Sequence, residues 1–213
     1  DFAKWQREWA ESPDFARQKA YWLKQLGDAP ARLDLPSDFL LGDEQEGGSP
    51  NAKQRRHLGK RSGIELPVAL SDELRQFAKS QGVTLYMPLL GLFNLLLNRY
   101  TQQEDICVGT SIANRSRKET ENLLGFFVNL LVMRNQVSQD LSFTEFLQQV
   151  NTTASAAYDH QDIPFDHLVD VLGVKRDAST TPLFQVLFVL TQGNNDMQQA
   201  LPGVDVSAFH HDQ

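Results

Sequence analysis

Leu85 to Leu97 is apolar on nearly every side of a helix, so any fold of this chain has to bury that segment among other elements. Leu183 to Leu190 is a continuous apolar run of strand length, and it predicts a central strand. A chain holding both needs a layered core. The material for one is present, because the hydrophobic set makes up 41% of 213 residues and 13 glycines come on top of it. That is the composition of one compact domain or one lobe of a larger one, not of a disordered chain.

The other elements follow from spacing and punctuation. Phe2, Trp5 and Trp9 follow helical spacing. Ser12-Pro13 reads as an N-cap with proline at the first helical position, opening a helix that carries Phe15, Trp22 and Leu26 and ends at Gly27. Residues 27–50 hold glycines and prolines at loop density, and a strand is expected near 60–67. Ser71 to Gln81 reads as an amphipathic helix stopped by Gly82, and Thr84 is placed to cap the helix after it. Asp105 to Ala113 and Phe127 to Val137 read as strands, and Val204 to Phe209 as a last one. Ser142-Phe143-Thr144-Glu145 has capping-box spacing ahead of the stripe Phe143, Phe146, Leu147, Val150, Ala154, Ala157. Pro164 opens a short helix over Phe165 to Leu172. Helices and strands alternate, so the fold class is α/β (α+β), a mixed sheet covered by helices.

Charge and cysteine count remove whole classes of function. Acids outnumber bases by 27 to 20, for a formal net charge of -7, so nucleic acid is not an expected partner. The basic residues Lys53, Arg55, Arg56, Lys60 and Arg61 read as a solvated loop and strand edge rather than an anion patch. One cysteine, Cys107, excludes a disulfide within the chain and a cysteine-built zinc site, and no metal is expected. Cys107 sits in an apolar strand and reads as a small core residue. The longest nearly apolar stretch, Leu123 to Met133, is far short of the ~20 residues that cross a bilayer. No membrane partner is expected, and the cytoplasm is the simplest compartment. The chain opens without a methionine, which fits a start inside a longer polypeptide.

Generic chemical motifs give nothing sharper. The histidines are His57, His160, His167, His210 and His211, and sequence alone orients none of them against a base or acid. His167 and Asp170 stand three apart on a helix and read as a surface pair. Gly109-Thr110-Ser111 lacks the strand–turn–helix context of a nucleophile elbow. The informative feature is polar residues inside apolar runs. Asn129 interrupts Leu124-Gly125-Phe126-Phe127-Val128 and Leu130-Leu131-Val132-Met133, and a buried amide has to find partners. It either satisfies a loop backbone or faces a channel and meets a ligand. His160-Gln161-Asp162-Ile163-Pro164-Phe165-Asp166 forms a polar turn, and Arg176-Asp177-Ala178-Ser179 packs charge before the apolar strand.

In this order, these segments resemble the condensation domain of nonribosomal peptide synthetases. Asp1-Phe2-Ala3-Lys4-Trp5-Gln6 is similar to the family's D-F-A-x-W-Q segment. Gly125 to Asn129 is similar to G-F-F-V-N, with Arg134 at the position of the arginine that closes that motif. His160 to Asp166 resembles H-Q-D-x-P-F-E, and Arg176 to Leu183 resembles R-D-x-S-R-N-P-L. Departures fall at Leu130 for a threonine, Asp166 for a glutamate, and Thr180-Thr181 for Arg-Asn. The family's H-H-x-x-x-D-G motif lies upstream of the D-F-A-x-W-Q segment, hence before residue 1, so no catalytic residue is expected in this chain.

The resemblance implies a chloramphenicol acetyltransferase-like lobe: a helical lead-in over 1–26, a loop or linker over 27–59, and a C-terminal lobe over 60–213 that stops before its last elements. It implies an amide synthase acting between two carrier-bound thioesters, whose 4'-phosphopantetheine arms enter a tunnel between two lobes. No cofactor would be bound directly. The implied partners are upstream and downstream peptidyl carrier domains, the N-terminal lobe and an adenylation domain. Asn129 and Gly125 would lie at the tunnel near the acceptor, with Gly125 keeping a strand thin. Arg115, Arg134, His160, Asp162, Pro164, Arg176 and Asp177 would shape the lobe interface. Arg115 or Arg61 would pair with the aspartate of the upstream motif. Alternatives on the same fold are an epimerization domain, an ester-forming acyltransferase, or a non-catalytic lobe that docks carrier domains.

Overall fold

The structure, a computed structural model, describes residues 2–36, 61–115, 117–174 and 181–191. The expected strand at 204–209, His57, His210, His211, Arg176, Asp177 and the basic residues of 53–60 lie outside the described residues.

Two helices lead in: α1 (Phe2–Trp9) and α2 (Pro13–Leu26). The Ser12 hydroxyl accepts the Phe15 N–H at 3.2 Å, the expected cap, with Pro13 at the first helical position. After α3 (Val68–Ser80) and α4 (Tyr86–Thr101), the chain enters β1 (Asp105–Ile112), a short helix α5 (Lys118–Glu121), and β2 (Asn129–Gln136). The helices α6 (Phe143–Asp159) and α7 (Phe165–Val171) follow. The capping box of α6 is complete, with Glu145 N–H on the Ser142 hydroxyl and the Glu145 carboxylate on the Ser142 N–H at 2.9 Å.

β1 and β2 pair antiparallel from Asp105↔Gln136 to Ile112↔Asn129. On the other side of β1, Gly109 bridges in parallel to Leu187: its N–H donates to the Val186 carbonyl and its carbonyl accepts from the Phe188 N–H, both at 2.9 Å. The sheet is therefore mixed, with β1 inside it. α4 and α6 pack on each other and on the strands, and Leu90, Val108, Leu131, Met133, Leu147 and Val150 are fully buried.

Four sequence expectations are corrected. Residues 61–67 form no strand; they are exposed and run into α3, which starts at Val68 rather than Ser71. Thr84 does not cap α4, because its hydroxyl turns to the Met87 sulfur. α4 is not covered on every side, since Leu92, Leu96 and Tyr100, one turn apart, face outward. The 183–190 run pairs only at the Gly109 bridge, with Val186 and Phe188 packed inward and Leu187, Val189 and Leu190 exposed. That run has no second layer over it among the described residues.

Candidate functional site

The 160–165 turn gathers more of the singled-out polar residues than any other described segment. It leaves the C-terminal end of α6 and restarts as α7. Pro164, at the N-cap of α7, has no side-chain oxygen to offer the helix. Asn129, the first residue of β2, supplies it: its Oδ1 accepts the Phe165 N–H at 3.0 Å. Its Nδ2 donates to the carbonyls of Gln161 at 3.0 Å and Ile163 at 2.8 Å. Both amide hydrogens are used, and one Oδ1 lone pair is left. Of the two readings of this buried amide, the structure displays the one in which it satisfies a loop backbone.

The opposite side of the turn is held by α2. Gln18 is fully buried; its Nε2 donates to Asp162 Oδ2 at 2.8 Å and its Oε1 accepts the Asp162 N–H at 3.1 Å. The same Nε2 also reaches Asp14 at 3.0 Å. Trp22 Nε1 donates to the His160 carbonyl at 2.8 Å. The His160 ring stacks on Tyr21 at 4.0 Å between centroids. Its Nδ1 lies 2.7 Å from the Ala156 carbonyl, which only accepts, so Nδ1 carries the proton and Nε2 accepts from Arg17 at 3.0 Å. Both ring nitrogens are thus engaged. Burial, then Asp159, pushes the Tyr21 hydroxyl up to about 12, so it stays neutral.

Trp22 was read from sequence only as part of the apolar stripe of its helix, and Gln18 was not singled out. The signal was there: Phe15, Gln18, Trp22 and Leu26 form one helical stripe with an amide inside it.

Gly125 is not in a strand. It sits at an exposed bend before β2, and a Cβ there would approach the Phe127 ring at 3.0 Å, so close approach rather than strand thickness asks for glycine. Around it Leu123, Leu124, Phe126 and Val128 are exposed, Phe126 at 89%. Arg115 holds this segment: its guanidinium donates to the carbonyls of Thr120 and of Leu123, the latter at 2.9 Å, and lies 4.5 Å from the Phe127 ring centre. Phe127 in turn meets Phe2 of α1 at 5.0 Å, and Arg117 covers Trp5 at 3.8 Å. Arg61 is exposed at the start of the described 61–115 stretch.

Arg134 is built into the lobe. It meets Asp105 as a fork, Nε to Oδ1 at 2.9 Å and Nη2 to Oδ2 at 2.6 Å, and reaches Asp28 at 2.6 Å and the Gln25 carbonyl at 2.8 Å. These acids raise its already high pKa further. Cys107 is buried, as expected, and that burial pushes its thiol up to about 12. Pro164 and His167, with Arg7, Trp9 and Phe15, line an open groove of about 230 Å³ between α1, α2 and α7. A pocket of about 10 Å³, the size of one water, lies between Phe2, Trp5, Asn114, Arg117 and Asp162. Among the described residues no cluster of histidine, cysteine and acids could hold a metal, and no helix is long and apolar enough to cross a membrane.

Comparison with known proteins agrees with the motifs. A family model described as Condensation domain matches residues 1–212. Tyrocidine synthase 3 of Brevibacillus parabrevis is 40% identical over 213 residues, which is 100% of this chain and 3% of that protein. Bacitracin synthase 3 of Bacillus licheniformis is 37% identical over 213 residues, again 100% of this chain and 3% of its own length. Among solved structures, a four-domain nonribosomal peptide synthetase bound to AMP and glycine superposes with a TM-score of 0.73 at 24% identity, covering 87% of this chain and 13% of that one. The X-domain from teicoplanin biosynthesis gives 0.73 at 22% identity, covering 87% and 40%. These two show a shared fold, the acyltransferase-like fold of condensation domains. The chain spans a small fraction of the curated relatives it matches, but the family model runs along almost all of it: this chain belongs to the condensation domain family.

Proposed function

We propose that this chain is the C-terminal lobe, over 60–213, and helical lead-in, over 1–26, of a nonribosomal peptide synthetase condensation domain that joins two carrier-bound substrates through an amide. The amine of one aminoacyl thioester attacks the thioester carbonyl carbon of the other. The C–N bond forms, the C–S bond breaks, and the amine's proton is passed on as the thiol leaves. A thioester is already activated, so most of the acceleration comes from holding two 4'-phosphopantetheine-tethered reactants together in a dry channel. The general base for the amine belongs to the H-H-x-x-x-D-G motif that the family resemblance places before residue 1, and His160 of the 160–165 turn, with both ring nitrogens engaged, does not stand in for it.

The observation that carries this reading is the exposed run Leu123, Leu124, Phe126 and Val128 beside a rigidly held turn. A monomeric lobe gains nothing from displaying a fully exposed leucine and a phenylalanine side by side; a lobe that forms one wall of a channel with a second lobe does. Asn129 and Gln18 set the shape of that wall by fixing the 160–165 turn from two sides. Arg115 and Arg134 act within the lobe, the first on the exposed run and the second on the strand pair. Arg176 and Asp177 keep the interface role that the motif implies. Upstream and downstream carrier domains are the proposed partners, with an adenylation domain in the same polypeptide, and the cytoplasm is the proposed compartment.

The test is amide formation between two loaded carrier domains, assayed with this chain alone and with the condensation domain completed by its upstream lobe. Product is expected only from the completed domain. Turnover by the chain alone would remove the external base, and no product from a folded, complete domain would remove the amide-forming reading.

A further inference from the structure

We propose that Arg115 is a positioning residue for amide formation: it holds the exposed run 123–128 in place instead of pairing with the aspartate of the upstream motif. This rests on the reading that the run forms the wall facing a second lobe. The run does not hold itself. Among the described residues, the main chain of 124–128 makes no hydrogen bond, so side chains have to fix its course. Arg115 does so at two points. Its Nη1 donates to the carbonyl of Thr120 and, at 2.9 Å, to that of Leu123, which uses both Nη1 hydrogens on the turn that launches the run. That turn is firm: the Leu123 N–H donates to the Thr120 carbonyl at 3.3 Å, and the buried Thr120 gives its hydroxyl to the Arg117 carbonyl at 2.7 Å.

The second grip is four residues on. The guanidinium carbon lies 4.5 Å from the Phe127 ring centre, and Phe2 of α1 meets the same ring edge-on at 5.0 Å. The exposed Leu124 and Phe126 stand between the grips at Leu123 and Phe127. One arginine thus sets the placement of the side chains that face outward. A lysine at 115 would keep the charge and lose the hold. Its ammonium is a point charge on a flexible stem, with no plane to lay on Phe127 and no fixed fork for two carbonyls. A partner carboxylate would still be satisfied by it. A role through the run and a role through charge therefore make opposite predictions for Arg115→Lys.

The measurement is steady-state amide formation between two loaded carrier domains by the complete domain in its intact polypeptide. The variants are Arg115→Lys, Phe127→Leu and the two combined, each checked for folding by its urea midpoint. Arg115→Lys is expected to lower kcat by about tenfold or more and to leave KM for each carrier within about twofold, because a small misplacement of the wall costs alignment of the reactants. Phe127→Leu changes no charge and should lower kcat in the same way. The double variant should fall little below the worse single one, as for two groups that act through one contact. Chymotrypsin gives a readout independent of activity: the first cut within 123–128 should come at least about fivefold faster in both single variants. If Arg115→Lys does not fold, Phe127→Leu decides through the same two readouts. Full kcat with lysine at 115, losses that multiply in the double variant, or an unchanged cutting rate would each overturn the role of Arg115. A folded wild-type domain that yields no amide would overturn the reading beneath it, a separate result because it shows before any substitution is made.

Discussion

Gln18 and Asp162, 144 residues apart in sequence, exchange two hydrogen bonds: the Gln18 amide gives one to the Asp162 carboxylate at 2.8 Å and takes one from the Asp162 N–H at 3.1 Å. This reciprocal pair ties the lead-in helix to the turn between α6 and α7. Gln18→Ala leaves the Asp162 N–H without its acceptor in a buried setting. A loss of about 2 kcal/mol is expected, read from urea unfolding of the complete domain. Gln18→Glu should be worse, because it sets a third carboxylate against Asp14 and Asp162. A Gln18→Glu variant as stable as wild type would disprove this account.

Asn129 makes a second, chemically different clamp on the same turn. Asn129→Ala removes three hydrogen bonds and is expected to cost about 3 kcal/mol and to lower amide formation by the complete domain. Asn129→Asp keeps the acceptor for the Phe165 N–H but aims a carboxylate at two carbonyls. Burial and those carbonyls raise the folded pKa of the new carboxyl above its unfolded value of ~3.9. The penalty is therefore absent below the unfolded value and grows as pH rises toward the folded one. A gap between variant and wild type that does not widen from pH 4 to pH 7 would contradict the donor role of Nδ2.

Three carboxyls predict how the chain meets acid. Arg17 hydrogen-bonds Asp14, Arg134 hydrogen-bonds Asp28, and the Ser142 hydroxyl and N–H bond Glu145, and each holds its partner below the usual carboxylate range. A carboxyl depressed in the folded state adds stability above its unfolded value, about 4 for Asp and Glu, and loses it as pH falls through the folded value. The urea midpoint should be flat near pH 6 and fall below about pH 4. Ser142→Ala should lower the midpoint at pH 7 and make the acid fall shallower, since Glu145 then has less to lose. Parallel curves for the two proteins would exclude the capping box as a source of the acid loss.

The exposed run before β2 separates stability from assembly. Leu124→Asp with Phe126→Asp changes side chains that touch solvent in this lobe, so stability of the chain should move by no more than about 0.5 kcal/mol. Reconstitution of amide formation with a separately supplied upstream lobe should be lost. Full activity of the double variant would show that this run is not the wall that meets a second lobe.

What was readable from the sequence was local. The cap at Ser12, the capping box at Ser142, the glycine after α3 and the helical stripe of α6 involve residues within a few positions of each other, so spacing alone predicts them. Motif order was equally readable, and it led to the family. Burial of Asn129 could be read as a demand for partners, but not which ones, since those partners lie 32–36 residues away. The same limit hid Gln18 and the Arg134–Asp105–Asp28 cluster, which joins a strand to a neighbouring strand and to the segment after α2. Apolar runs misled where hydrophobicity was taken for burial: Leu92 and Leu96 of α4, and Leu187 and Val189 of the 183–190 run, lie on sides that nothing described covers.

Most helices, their caps at Ser12 and Ser142, the two paired strands and the family were set at the level of the amino-acid order, because each rests on side chains that act on their own backbone neighbours or on motifs read in succession. It took packing in three dimensions to make one amide from β2 cap α7, to have α2 lock the turn beneath it, and to bridge the 181–190 segment to β1 at Gly109 with Phe184 in the core. Those outcomes depend on which surfaces meet when distant segments pack, and a hydrogen bond across 144 residues leaves no trace in local spacing.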